Sequence, residues 1–491
     1  MKINQEIINS LVKEKILILG LGREGQSTYK FLRQVLPSNT IAVADENPEL
    51  PDLFSSDNNL ITHLGLNYLE NLNSYTLIFK TPGIPLSTPQ IKNAIDAGVK
   101  ISSNLQLLLE IIETEKQKSK TKMLNLPTPL TIGVTGTKGK STTASLINHT
   151  LSSNKIKSVL VGNIGKPALE EINHIKNNGV FVIEMSSHQL SHLTISPDIA
   201  VVQEITSEHL DYYKNTDEYV HAKEAITKYQ KVNQYVLFNP NKRNTTKIAN
   251  LSPGIKQKFI VGETQNNNNI DIEVYLKSYY LTFKHNELEK QVIHQDSIPL
   301  LGTHNLQNIA PTIIIGRLFG LSISQISDAI GSFTPLPHRL ERVGIINDVV
   351  YVNDSMATMP DATISALSCF DKKEIILLAG GHERNQNFQA LAEKIIHCNV
   401  VAVGLFPENG KRLEEKIQNE LLNQHLNKKI ETKVVNSMEE AMNFSKKYIK
   451  KNSVVLLSPG AASFGVFKDY ADRGNQFKKW VEKNKTEGQS S

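Results

Sequence analysis

Cysteine is nearly absent from this sequence: two occur in 491 residues, Cys369 and Cys398. Two thiols cannot build a disulfide framework, so a reducing cytoplasm is the expected home. Long apolar runs are missing as well. The longest candidate, Ile309 to Leu318, is broken by Pro311, Gly316 and Arg317, which excludes it as a membrane span. The opening M-K-I-N-Q-E-I-I-N-S has neither an apolar signal core nor a small-residue cleavage site. A strong charge of one sign is also lacking. The 54 basic and 49 acidic side chains leave only +5, and the lysines are scattered, which argues against a nucleic-acid binder. The small excess has two readings, attraction of anionic substrates or an ordinary solvated surface.

What is present is the composition of a globular protein, 40% apolar and 21% charged, in a chain too long for one core. About three domains are expected. The stretch Leu130 to Thr143, L-T-I-G-V-T-G-T-K-G-K-S-T-T, organises the rest. Alternation of Leu130, Ile132 and Val134 with Thr131 and Gly133 predicts a strand. Gly136 and Gly139 then turn the chain, and Lys140, Ser141, Thr142 and Thr143 open a helix. Glycines let backbone N–H groups approach an anion, and the helix start adds partial positive charge. In such a cradle Lys140 reaches terminal phosphates and the Ser141 hydroxyl touches Mg²⁺. The strict P-loop pattern has glycine where Val134 stands, so this loop is shorter at its front.

Toward the N-terminus, K-I-L-I-L-G leads into G-L-G-R-E-G (Gly20, Gly22, Gly25), then a helix, then I-A-V-A-D ending at Asp45. That is a dinucleotide-type fingerprint with its acid about 20 residues past the last glycine. A further strand, T-L-I-F-K, runs into T-P-G-I-P at Thr81. The charged run Glu113 to Lys122 reads as an exposed helix end and linker.

Beyond the phosphate loop three more strands are expected. One closes on Gly162, Asn163 and Gly165; one ends at Glu184 in E-M-S-S-H-Q-L; one runs into T-S-E-H-L-D, with His209 and Asp211. Four polar strand ends around a phosphate loop describe an ATP-and-metal site. Glu184 suits Mg²⁺, which prefers oxygen ligands. His209 reads either as a turn histidine or as part of that site. Lys223 is expected on a helix, where a solvated face is the default. Residues 240–300 are polar, carry the run Asn266–Asn269, and contain alternating segments that predict antiparallel strands. Asn305 and Asn308, one helical turn apart, either read a purine edge or hydrogen-bond locally. After Pro335 and Pro337 another alternation of strands and helices begins.

The ordered series G-T-K-G-K-S-T, G-N-I-G, E-M-S-S-H-Q-L, E-H-L-D, A-K, G-T-H-N-L-Q-N, P-H-R-L-E, N-D-S and L-S-P-G-A-A-S-F resembles the Mur ligases. These are cytoplasmic ATP-dependent amide-forming enzymes of peptidoglycan precursor synthesis, built of three α/β domains. The N-terminal fingerprint, T-P-G-I-P and D-Y-A-D-R-G-N-Q-F look most like the glutamate-adding branch. The resemblance implies a Rossmann-like uridine-diphosphate domain at 1–122, a P-loop ATP domain at 123–336, and a Rossmann-like amino-acid domain at 337–491. It implies a monomer acting on small molecules, with no nucleic-acid partner and no membrane insertion.

Carried over by residue, it assigns ATP to Gly136, Thr137, Lys138, Gly139, Lys140, Ser141, Thr142, Asn305, Asn308, Arg339 and Asp354. It assigns magnesium to Ser141, Glu184, His209 and Lys223, with Lys223 carbamylated by CO₂. The uridine-linked substrate falls to Gly22, Arg23, Glu24, Gly25, Asp45, Thr81, Asn163, Gln189 and His209. The amino acid falls to Thr358, Arg384, Ser463 and Tyr470. Lys140, His209 and Lys223 carry the catalytic roles. The expected reaction joins glutamate, D-glutamate first, to UDP-N-acetylmuramoyl-L-alanine through an acyl phosphate. Alternatives are an L-glutamate ligase, a folate polyglutamate synthase-like ligase, or a non-catalytic nucleotide-binding regulator. The chain departs from the family pattern at Met356 and Arg384, which stand for lysines, at Asn387, which stands for an acid, and at Asn47, where arginine is common.

Overall fold

The computed structural model describes residues 5–206, 208, 212–262, 271–425 and 428–487. His209, Asp211 and the run Asn266–Asn269 lie outside the described residues. By contact the chain divides into two compact units, Met1–Ile298 with Leu306–Phe333, and Pro299–Asn305 with Thr334–Ser491.

The first unit contains two main sheets. In one, five parallel strands lie in the order Leu60–Leu64, Ile41–Asp45, Ile16–Leu19, Leu77–Lys80, Lys100–Ser102. Ile16–Leu19 is buried along its whole length, as an unbroken apolar run covered on both faces must be. The expected strand–turn–helix is present, but its helix, Arg23–Val35, begins inside the fingerprint itself.

The second sheet places the phosphate-loop strand Leu130–Thr135 between Val180–Glu184 and Ile199–Val202. Ser158–Gly162 forms one edge. On the other side Tyr235–Phe238 and Ile255–Val261 continue in parallel. Ile272–Lys277, Tyr280–His285 and Leu288–His294 then complete the nine strands, the last two pairings being antiparallel, as the alternation predicts.

The sequence reading of residues 113–122 as exposed is corrected at one position. Lys116 belongs to the helix Asn104–Lys118 and is 6% exposed. Its ammonium donates to both carboxylate oxygens of Asp198, at 2.8 and 2.7 Å, and to Glu113 at 2.6 Å. Asp198 also accepts from the Thr131 amide and hydroxyl and from the Gln234 side chain. One buried carboxylate thereby fastens a helix beside the first sheet to three segments of the second.

The second unit carries a six-stranded sheet, ordered Glu341–Ile346, Val349–Asn353, Val454–Leu457, Ile375–Gly380, Val400–Phe406, Glu431–Val434. Its first pair is an antiparallel hairpin and the rest is parallel. The helix Tyr470–Glu487 buries Phe477 and Val481 beside Tyr351, and its Trp480 ring lies 6.1 Å from the Tyr351 ring. Both cysteines are free thiols. No helix among the described residues is long and apolar enough to cross a membrane.

Removing one partner from a buried ion pair strands the other, so Asp198→Ala is expected to lower the unfolding free energy by about 3–5 kcal/mol in urea titrations. A loss below about 1 kcal/mol would show that Lys116 finds another partner.

Candidate active site

The phosphate loop follows the carboxyl end of Leu130–Thr135, and the helix Lys140–Ser153 starts directly after it. Gly139 has φ +82°, and a Cβ there would lie 2.1 Å from the Asn308 side-chain oxygen. At Gly136 a Cβ would stand 2.6 Å from the Gln203 side chain. Both positions therefore require glycine. Val134, where the longer P-loop has glycine, is fully buried in the strand. Thr137 ties the loop down through its amide to the Glu204 carbonyl and by accepting from the Thr206 amide. Thr142 is buried, whereas Lys138 is exposed and Ser141 half-buried. The Lys140 ammonium donates to the Gly136 and Thr137 carbonyls at 3.0 and 2.7 Å.

Glu184, 1% exposed, closes the neighbouring strand. One of its oxygens accepts from the Asn163 side chain at 3.1 Å, while the other is buried without a hydrogen-bond partner among the described residues. An orphaned carboxylate oxygen beside a phosphate loop suits a hard cation.

Lys223 corrects two expectations at once. It sits in a turn between the short helices Thr216–His221 and Ala225–Lys228, and it is fully buried. Its nitrogen donates to the Gly136 carbonyl at 3.1 Å, reaches the Thr135 hydroxyl at 3.4 Å, and lies 4.7 Å from the Tyr219 ring centre. Burial, reinforced by the Lys140 charge, holds its pKa well below the usual lysine value against the pull of Glu208 and Glu184. The phosphate loop, Glu184 and Lys223 are thus one cluster.

The Asn308 bond seen here is long-range: its side-chain oxygen accepts from the Thr143 hydroxyl at 3.3 Å and packs against Gly139. Asn305, at the start of the helix Asn305–Leu318, donates to the Leu301 carbonyl at 2.6 Å.

A second cluster joins the fingerprint to the central sheet. Gly22 leaves open space where a Cβ would stand, and Gly25 lets its helix touch the Gly20 carbonyl. Arg23 donates to the Gly165 carbonyl at 2.9 Å, and Glu24 accepts from Gln189 at 2.7 Å. The other end of the Gln189 amide accepts from the Ser186 amide and hydroxyl. Asp45 accepts from the Leu21 and Asn47 amides, and the Thr81 hydroxyl reaches the Leu19 carbonyl.

Sequence reasoning missed two neighbours here. Lys80, 1% exposed, donates to the Thr81 and Ile84 carbonyls and props the T-P-G-I-P turn. Burial lowers its pKa to about 8, with Glu24 opposing. His192 has both ring nitrogens buried without partners among the described residues, and burial together with Lys80 pulls its pKa down to about 3. The only signal for Lys80 was a charged residue closing an otherwise apolar strand.

In the second unit Asp354, Thr358, Arg384 and Ser463 follow strand ends, Arg339 precedes the strand Glu341–Ile346, and Tyr470 opens the helix Tyr470–Glu487. Asp354 accepts from the Leu340 amide and the Ser458 hydroxyl, and burial raises its pKa to about 7 against these bonds and nearby Arg339. The Thr358 carbonyl accepts from Gln386, Ser463 is 4% exposed, and Tyr470 is exposed. The exposed Arg384 guanidinium lies 5.8 Å from the Phe464 ring. Asn387 accepts from the Gln389 amide at the start of the helix Gln389–His397.

Gly139→Ala is expected to weaken nucleoside triphosphate binding by at least roughly 10-fold, measured by calorimetry, because the added methyl meets Asn308 and strains the turn. His192 makes a separate, pH-linked prediction. Its folded pKa lies below the ordinary 6.5, so the stability it contributes is present above that value and is lost as pH falls toward 3. His192→Phe should therefore gain stability relative to the parent in urea titrations between about pH 7 and about pH 5. A difference independent of pH would show that the ring is not held neutral.

Three domain profiles match the chain in order. They are the Mur ligase MurD-like N-terminal domain at residues 14–103, the Mur ligase middle domain at 134–316, and the Mur ligase glutamate ligase domain at 338–460. A UDP-N-acetylmuramoylalanine--D-glutamate ligase of Acetivibrio thermocellus is 32% identical over 85% of this chain and 85% of its own. The ligase of the same name from Staphylococcus saprophyticus is 32% identical over 96% of this chain and 98% of its own. Among solved structures, the MurF ligase of Thermotoga maritima in complex with ADP superposes with a TM-score of 0.57 at 16% identity, covering 96% of this chain and 95% of that one. E. coli FolC in complex with ADP gives 0.53 at 14% identity over 78% of this chain and 94% of that one. At such identities these two likenesses concern the fold alone. On its domain order and its whole-length curated relatives, the chain belongs to the Mur ligases, α/β enzymes that form amide bonds at the expense of ATP.

Proposed function

We propose that this enzyme joins glutamate to the lactoyl-alanine carboxylate of UDP-N-acetylmuramoyl-L-alanine in peptidoglycan precursor synthesis. The observation that carries the reading is the buried Lys223 amine bonded to the phosphate loop and within the electrostatic reach of Glu184, one oxygen of which has no hydrogen-bond partner among the described residues. The curated D-glutamate ligases that match nearly the whole chain support the choice of substrate.

In this reading residues 1–122 hold the uridine diphosphate, 123–336 the ATP and 337–491 the amino acid, in a cytoplasmic monomer. Gly136 to Thr142 wrap the triphosphate with Asn308 beside them, and the resemblance adds Asn305, Arg339 and Asp354 as further nucleotide candidates in the second unit. Ser141, Glu184, Lys223 and His209 would hold Mg²⁺; the orphaned Glu184 oxygen fits that role, and His209 enters by resemblance alone. Bound there, magnesium would neutralise charge on the triphosphate. A neutral Lys223 amine can attack CO₂, forming an N–C bond and releasing a proton, and so become an anionic ligand. Its lowered pKa supports that chemistry.

The substrate carboxylate attacks the γ-phosphorus of ATP, and ADP leaves. Lys140, anchored in the loop, offsets the charge of the transferring group. The glutamate amine then attacks the acyl phosphate, an amide forms and phosphate departs. Arg23, Glu24, Asn163 and Gln189 orient the uridine-linked partner with Gly22, Gly25, Asp45 and Thr81. Thr358, Arg384, Ser463 and Tyr470 orient the amino acid. A guanidinium at 384 can grip a carboxylate with two parallel bonds where a lysine offers one charge, which suits glutamate.

Phosphate release from ATP with UDP-N-acetylmuramoyl-L-alanine is expected with D-glutamate and not with D-lysine. Faster release with L-glutamate would reverse the stereochemical assignment, and no release with any amino acid would leave the non-catalytic alternative in front. With ¹³C-bicarbonate a carbamate carbonyl resonance is expected in the parent and absent in Lys223→Ala, whose turnover should fall by roughly 100-fold.

A further inference from the structure

The motif D-Y-A-D-R-G-N-Q-F contains the most deeply buried arginine of the chain. Arg473, on the helix Tyr470–Glu487, has no exposed surface. Its Nε donates to the Ser355 hydroxyl at 3.0 Å, and its Nη2 donates to the Ser355 carbonyl at 2.8 Å and to the Ala461 carbonyl at 3.1 Å. Its Nη1 is buried without a hydrogen-bond partner among the described residues and faces Gly381, where a Cβ would lie 3.3 Å away. No carboxylate pairs with it among the described residues. It bonds two of the loops that carry the amino-acid candidates, at Ser355 and Ala461, and the third passes its Nη1 at Gly381. Ser355 leads to Thr358, Gly381 leads to Arg384, and Ala461 leads to Ser463. The Ser355 hydroxyl, which accepts from Arg473, donates in turn to the Tyr470 carbonyl at 2.8 Å.

The neighbouring glycines permit this placement. A Cβ at Gly474 would stand 2.2 Å from His338 Nδ1, so the helix approaches the hairpin closely only with glycine there. A Cβ at Gly381 would stand 2.1 Å from the Ala462 carbonyl, so the loop can lie over the guanidinium only with glycine there.

We propose that Arg473 is the positioning residue of the amino-acid site: one buried, unneutralised guanidinium sets three loops in a single arrangement and biases their crevice toward an amino acid with two carboxylates. This rests on the reading of that crevice as the amino-acid site. A buried charge without a counter-ion is expensive, and an arriving carboxylate group compensates part of that expense through the field of the site. Burial lowers the guanidinium pKa to about 9, which leaves it charged at neutral pH.

The test is steady-state kinetics of Arg473→Met and Arg473→Lys in the full-length enzyme, with thermal melts alongside. The parent, assayed with D-glutamate, tests the underlying reading by itself. Arg473→Met is expected to raise the amino-acid KM about 10- to 100-fold while the KM values for ATP and the uridine-linked substrate stay within about 3-fold. Arg473→Lys, which keeps the charge and loses the fork, should fall between parent and Met variant. Should Arg473→Met not fold, Ser355→Ala removes the bonds of its hydroxyl to Arg473 Nε and the Tyr470 carbonyl and leaves the charge, and a selective rise in amino-acid KM of about 3-fold or more is then expected. An active parent whose folded variants keep the parental amino-acid KM, or raise all three KM values together, would overturn the proposal.

Discussion

A dry interior disfavours a lysine's charge, and the phosphate loop of this enzyme is arranged around a lysine buried in one. Lys223 is enclosed under the phosphate loop, bonded to the loop's own Gly136 carbonyl and pressed against the Tyr219 ring. The neighbouring Lys140 charge discourages protonation further. The same crowding fixes the loop: Gly136 and Gly139 turn where Gln203 and Asn308 leave room for a hydrogen and nothing larger. Chemistry on a triphosphate demands groups that need not rearrange as charge develops. Here loop, amine and carboxylate constrain one another.

Much of this was legible in the sequence. The apolar runs ending in glycine and polar residues gave the parallel strands, and the strand edges carry Lys140, Asn163 and Glu184 as their patterns require. What escaped was burial of charge. Lys116 looked like part of a solvated run because its neighbours are charged, yet its helix turns that one ammonium toward Asp198, more than 80 residues away in sequence. Lys223, taken by itself, read as a lysine on a solvated helix face, and only the resemblance assigned it to the metal site. Its turn position follows from packing of segments that no local periodicity reports. Lys80 and His192 likewise acquire their environment from the meeting of two sheets.

The first unit is also knit together across its two sheets by polar contacts. Gln189 spends one end of its amide on Ser186 and the other on Glu24. Arg23 reaches the G-N-I-G turn that also presents Asn163 to Glu184. The nucleotide fingerprint and the carboxylate beside the phosphate loop are therefore two or three hydrogen bonds apart. A substrate seated on the fingerprint would meet a surface whose alignment with the phosphate loop is already set, which lowers the entropy to be lost on reaction.

Trp480, the chain's single tryptophan, lies two helical turns beyond Arg473 on one helix, with the Lys446 ammonium 4.7 Å from its ring and Tyr351 at its side. A cation over an indole face and a phenol beside it tune ultraviolet emission. The molecule thus carries its own optical probe at one place, on the element that steadies the loops of its second unit, and any reseating of that helix would register in native fluorescence without a label.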